Sequence, residues 1–231
     1  MSTVVQIADF KIRKEIDDSY WIPRKDSKIE AYMDKHFLRP TKLLVWVERS
    51  KFWNLKGKYK GLSCHIIGKG PSLDDIKTLP YWGPIIALNQ AVVVIDKLCL
   101  PNDLYGAQRD TCLKRLDISK RVIMLTQRSL IAKYYPEDRH YGLITHESML
   151  LKCFLTVLMA VGIANFFGCT EINMWACDAS TTGDNSYAKC IPKGPYNTGT
   201  LDDYPNQRSR IMKHAEGTPL IWRAADGSSI N

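Results

Sequence analysis

From residue 62 onward, short apolar runs bounded by Gly, Pro or Asn alternate with segments of helical spacing, and this alternation constrains the chain more than any other feature. Apolar runs predict strands at 64–68, 85–88, 104–107, 122–126, 171–177 and 220–224. They are too short for helices, and apolarity at consecutive positions suits strands buried on both faces. Between them, spacing predicts helices over 73–79, 91–98, 148–163 and 205–216, the last opened by Pro205. Leu150, Phe154, Val157, Leu158 and Val161 give the 148–163 helix its apolar positions. Such alternation predicts a Rossmann-like α/β fold, a mainly parallel sheet with helices on both faces. Residues 1–60 read as an N-terminal extension packing on the core, with a helix at 28–37 and a strand at 43–47. Residues 61–231 then form the Rossmann-like domain.

Sheets of this kind bind ligands at the carboxyl ends of their strands, near the point where strand order reverses. The informative residues therefore follow strand ends. The first strand runs into Gly68, Lys69, Gly70, Pro71 and Ser72. Two glycines let the backbone turn sharply, and Ser72 suits a cap for the next helix, whose free N–H groups would face an anion. Lys69 adds charge. The same residues also suit an ordinary strand-to-helix junction. The turn matches neither GxGxxG nor the P-loop pattern. The second strand ends in Asn89 and Gln90, whose carboxamides offer a donor and an acceptor to a ribose or phosphate. A third end, Gln108-Arg109-Asp110, suits a ligand contact or a solvated turn equally. Together these ends make 61–231 a nucleotide-binding catalytic domain by expectation.

Composition narrows the partners only coarsely. The net charge of +8 favours polyanions, but it is spread along the chain, so a phosphate-bearing substrate explains it as well as nucleic acid does. The stretch 149–167 is interrupted by Lys152, Thr156, Gly162 and Asn165 and reads as a buried helix, so no membrane span is expected. The start of the sequence has no signal-peptide core, which predicts a cytoplasmic protein. Cysteines 64, 99, 112, 153, 169, 177 and 190 contain no CxxC pair and read as reduced thiols, most of them small core residues. No metal site is assigned. Asp74-Asp75 suits the first turn of a helix, and Asp202-Asp203 precedes another, although either pair of carboxylates suits a divalent cation as well.

The segments HIIGKGPSLDDI and, some twenty residues on, ALNQA resemble the opening of the bacterial CMP-sialic-acid-dependent sialyltransferases, in which a GNGPSL loop precedes an asparagine-glutamine strand end. The opening also resembles the MptE-like family, which includes archaeal 6-hydroxymethylpterin diphosphokinases. GCTEINMWACDAS is similar to that family's GYKEIYLSGIDFY pattern, and Ser186-Tyr187 to its SSY segment. The resemblance implies that the GKGPS loop and Asn89 contact CMP, and that Thr145 to Ser148 lie near the nucleotide. It further implies a catalytic place for Asp178, with Tyr187 and Tyr196 donating hydrogen bonds to the leaving phosphate. Two departures stand out. Lys69 replaces the loop asparagine, and the stretch 189–207, where those transferases keep a histidine base, contains none. His146 and His214 match no motif, which leaves Asp178, Asp184, Asp202 and Asp203 as candidate bases.

The reading carried forward is a nucleotide-dependent transferase, a glycosyltransferase using a CMP-type activated sugar and an anionic or glycan acceptor. A nucleic-acid acceptor, such as a modified base in DNA, would also suit the charge. The alternatives are a diphosphokinase transferring pyrophosphate from ATP to a pterin-like alcohol, and a non-catalytic nucleotide- or nucleic-acid-binding module. Mg²⁺ is expected only if the donor is a nucleoside di- or triphosphate. The segment FWNLKGKYKG, 52–61, mixes aromatic and basic residues as single-strand binders do, or packs as an extension with solvated lysines.

Overall fold

The computed structural model describes residues 54–80, 82–108, 115–127, 134–135, 140–143, 156–178, 187–191, 207–215 and 217–230. Their strands are β1 (Ser63–Ile67), β2 (Ile85–Leu88), β3 (Leu104–Gln108), β4 (Ile123–Gln127), β5 (Tyr141–Leu143), β6 (Glu171–Trp175), β7 (Leu220–Arg223) and β8 (Ser229–Ile230). The helices are α1 (Ala91–Lys97), α2 (Thr156–Phe166) and α3 (Gln207–His214). The strands join one sheet in the order β5-β4-β3-β2-β1-β6-β7-β8, parallel throughout except for β8, which returns antiparallel to β7.

Both faces of the sheet are covered, and β1, β2 and β3 are buried at almost every position. On one face α2 and α3 pack Val161, Ile163 and Ile211 over Ile66, Ile86 and Met174. On the other, α1 and the turn after β1 bring Val92, Ile95 and Leu73 against Ile67, Ala87 and Met124. The α/β class expected from the alternation is therefore the class observed. Of residues 1–60 only 54–60 are described, and these lie against the end of α2. Leu55 and Tyr59 are buried, and Gly57 and Tyr59 donate their backbone N–H groups to the carbonyls of Phe166 and Phe167, each at 3.0 Å. The lysines between them, Lys56, Lys58 and Lys60, are exposed. Expectations for 28–37 and 43–47 lie outside the described residues, as do 148–155 and 205–206 of the two later helices.

Several elements differ from expectation. The helix foreseen at 73–79 is one 3-10 turn, Pro71–Asp75, after which Ile76 is extended at ψ 114°. Pro80 disfavours helix at the residue before it, and the β-branched Thr78 gives little support to a second turn. β5 and β8 were not expected; at three and two residues they are too short to show a hydrophobic period. The cysteines are less uniformly internal than their apolar neighbourhoods suggested. Cys64 and Cys169 are buried and Cys177 is half-buried, but Cys99 and Cys190 are exposed, all five as free thiols. Cys112 and Cys153 lie outside the described residues. No helix among those residues is long and apolar enough to cross a membrane.

Candidate functional site

Strand order reverses between β1 and β6: β2 to β5 extend the sheet on one side of β1, and β6 to β8 on the other. The crevice beyond their carboxyl ends is where a doubly wound sheet takes its ligand. Nine of the residues singled out from the sequence arrive there: Gly68, Lys69, Gly70, Pro71 and Ser72 after β1, Asn89 and Gln90 after β2, and Asp178 and Tyr187 after β6. Ser148 and Tyr196 lie outside the described residues, as do Thr145, His146, Asp184, Asp202 and Asp203.

The glycine-rich turn is built against the end of β6. Gly68 donates its N–H to the Trp175 carbonyl at 2.7 Å and Gly70 donates to the Ala176 carbonyl at 2.8 Å. Ala176 leaves the strand with φ 49°, a conformation costing a residue with a Cβ about 1–2 kcal/mol. This close seating explains the glycines. A Cβ on Gly68 would lie 2.2 Å from the Ala176 carbonyl oxygen, and one on Gly70 2.3 Å from Asp178 Oδ2.

Ser72 does not cap the following turn, whose cap position is Gly70. Instead its N–H donates to Asp178 Oδ2 at 2.8 Å and its hydroxyl to Asp178 Oδ1 at 2.7 Å. The expectation that the first N–H groups of the next helix face an anion is therefore corrected: that of Ser72 goes to Asp178 and that of Leu73 to the Gly70 carbonyl at 3.0 Å, while those of Gly68 and Gly70 serve the join between β1 and β6. Asp178 stands where the resemblance implied, but both its oxygens accept from Ser72.

What the crevice presents instead is a side-chain set. Lys69 Nζ donates to Gln90 Oε1 at 3.3 Å and lies 4.5 Å from the centre of the Tyr187 ring. Gln90 is only 3 % exposed, and its Nε2 has no hydrogen-bond partner among the described residues. The ammonium fixes which end of the carboxamide it meets, so the amide N–H₂ is left as a buried donor beside a cation. A buried donor without an acceptor costs about 1–3 kcal/mol. Asn89 takes a left-handed turn, φ 51°, which asparagine tolerates, and its amide donates to Thr156 Oγ1 at 3.4 Å. A cation and an unpartnered amide donor together suit an acceptor-rich anion, such as a phosphate or carboxylate.

The segment carrying Tyr187 is fastened to the same turn. Ala188 donates its N–H to the Lys69 carbonyl at 2.9 Å, and Lys189 and Cys190 donate theirs to Asp74 Oδ2 and Oδ1 at 2.7 and 2.9 Å. The Cys190 thiol and these amides hold the Asp74 carboxyl below the usual range. Desolvation, reinforced by Asp74, pushes the Cys190 thiol up to about 11. Burial, with Asp178 close by, pushes Cys177 up to about 12. Both thiols stay protonated near neutrality, so neither is a ready nucleophile. The sequence reading missed Thr156 and the role of Asp74; the Asp74-Asp75 pair was visible, but its partners were not. No protein-family model, curated protein or solved structure matches the chain.

Proposed function

We propose that the chain is a nucleotide-dependent transferase, a glycosyltransferase whose donor is a CMP-type activated sugar bound across the carboxyl ends of β1, β2 and β6. The observation that carries this reading is the buried Gln90 Nε2, without a partner among the described residues, beside Lys69 at the reversal of strand order. The resemblance of the GKGPS and Asn89-Gln90 segments to the CMP-sialic-acid-dependent sialyltransferases supports the choice of nucleotide. In a glycosyl transfer the bond from the sugar carbon to the phosphate oxygen breaks and its electron pair leaves with the nucleotide, while an acceptor hydroxyl oxygen bonds to that carbon and its proton passes to solvent. Lys69 supplies positive charge for that leaving group, and Gln90 supplies a neutral donor. Asp178 holds the loop in this reading and is not the base.

The diphosphokinase reading draws on Lys69, since a cation also suits the phosphates of ATP. It gains nothing from Asp74, whose oxygens accept from Lys189 and Cys190. A thermal-shift series with CMP, UDP, GDP, ATP and their sugar conjugates, with and without Mg²⁺, tests the proposal. At a hundredfold excess over Kd, CMP or a CMP-sugar stabilises by about 2.7 kcal/mol. In a chain of this size that raises Tm by roughly 5 °C or more, and Lys69→Ala removes the rise. A response to ATP with Mg²⁺ alone replaces the proposal with the diphosphokinase, and no response to any nucleotide overturns it.

A further inference from the structure

We propose that Asp74 is a positioning residue: through the backbone of 188–190 it holds Tyr187 against Lys69 and so aims the ammonium at the ligand. As regards that ligand, the inference rests on the nucleotide reading above. The chain of contacts is short. Both carboxylate oxygens of Asp74 accept consecutive backbone N–H groups, those of Lys189 and Cys190, at 2.7 and 2.9 Å. The N–H before them, on Ala188, closes on the carbonyl of Lys69 itself at 2.9 Å. Ala188 and Ile191, each 3 % exposed, seat the segment in the same core as Leu73 and Ile76. With three successive amides fixed, the residue preceding them has little freedom, and its ring lies 4.5 Å from Lys69 Nζ.

A carboxylate suits this task better than an ordinary cap. Its two oxygens match two adjacent N–H donors, and charge-assisted bonds to backbone amides are roughly twice as strong as neutral ones. Lysine loses much rotamer freedom when fixed, so a ring over the ammonium and Gln90 Oε1 beside it set its direction before any ligand arrives. Asp74 touches neither the ammonium nor the ring and acts through the main chain between them.

Ring-current shifts read this directly in the full chain. In the wild-type protein the Lys69 side-chain methylene protons lie upfield of their usual position because of the Tyr187 ring. Asp74→Ala removes that displacement as fully as Tyr187→Ala does, and hydrogen exchange at the Lys189 and Cys190 amides accelerates. Asp74→Asn, which keeps one acceptor oxygen, retains part of both signals. CMP titration adds the functional arm. Each single change weakens binding about five- to tenfold, and the Asp74→Ala/Tyr187→Ala double variant is no weaker than the poorer single one. An unchanged Lys69 shift in Asp74→Ala overturns the positioning role whatever the nucleotide result, and so does an additive double variant. Absence of CMP binding by wild type, with the Lys69 shift lost in Asp74→Ala, overturns only the nucleotide reading and upholds the contact chain.

Discussion

Two aspartates hold serines in the same way at opposite edges of the sheet. At the carboxyl edge, Asp178 accepts from Ser72 N and Oγ at 2.8 and 2.7 Å. At the amino edge, Asp96, at the end of α1, accepts from Ser119 N and Oγ at 2.6 and 2.8 Å. Their surroundings differ. Asp96 is buried and has a counter-ion of its own, with Arg121 Nε at 3.3 Å. Asp178 lies against the bare backbone of Gly70, beside a turn whose cation, Lys69, is directed to Gln90 and Tyr187. The aspartate–serine clamp thus recurs at both edges as a way of closing a loop. What sets the carboxyl edge apart is the cation and the buried amide donor that lie near the clamp.

The comparison is most easily broken at the clamps themselves. Gly68→Ala forces a Cβ into the Ala176 carbonyl and is expected to cost about 3 kcal/mol. Asp96→Ala should cost a similar amount, about 3 kcal/mol, because it leaves a guanidinium beside a buried site with its ion partner removed. Asp178→Ala should cost less, about 2 kcal/mol, for two lost hydrogen bonds to a carboxylate. Denaturant melts of the three variants give these values. Nucleotide titration then separates the clamps: Asp178→Ala loses the CMP response under conditions where it is still folded, whereas Asp96→Ala keeps it. Equal CMP affinity in both variants would mean that the carboxyl-edge clamp has no bearing on the site.

How far the sequence disclosed this arrangement follows from the range of each interaction. The strands that form the sheet centre were readable because parallel strands buried on both faces carry consecutive apolar residues, as in Ile66-Ile67 of β1 and IIAL of β2. Lys69, Asn89 and Gln90 were readable because a glycine or carboxamide at a strand end is a local signal. Ser72–Asp178 and Asp74–Lys189 were not, since their partners lie 106 and 115 residues away and meet only because β6 returns beside β1. The local grammar of Pro71-Ser72 pointed to a helix cap, and a non-local carboxylate took the serine instead. β5 and β8 escaped for a different reason, having too few residues for any period to show.

A subtler way to sharpen the comparison is Gln90→Met, which keeps the volume and removes the buried N–H₂. Removing a donor that has no acceptor among the described residues relieves its desolvation cost, so stability should be unchanged or raised by about 1 kcal/mol even though the Lys69 contact is lost. CMP binding should disappear in the same variant. Loss of binding with no loss of stability is the pattern of a group held for a ligand. A fall in Tm of several degrees would instead show that Gln90 belongs with Asp96, as part of the protein's own closed bonding.

The smallest effect concerns a second tie between β1 and β6, in the interior. Trp175 Nε1 donates to His65 Nδ1 at 3.2 Å, and an indole N–H can only donate, so Nδ1 carries no proton. The other nitrogen, Nε2, then donates to the Trp82 carbonyl at 3.1 Å. Burial holds His65 below the usual histidine range; the Trp82 carbonyl opposes this and Arg223 adds to it. With its pKa lower folded than unfolded, His65 binds fewer protons in the native state. Its contribution to stability is therefore complete above the unfolded value, about 6.5, and declines as pH falls through that value toward the folded one. Melts of wild type and His65→Gln between pH 7.5 and 5.5 should show a steeper fall for wild type. If the tie also supports the carboxyl edge, CMP affinity in wild type should weaken over the same interval more than in His65→Gln. Parallel melting curves would mean that β1 and β6 are joined by backbone pairing and the Asp178 clamp without help from this ring.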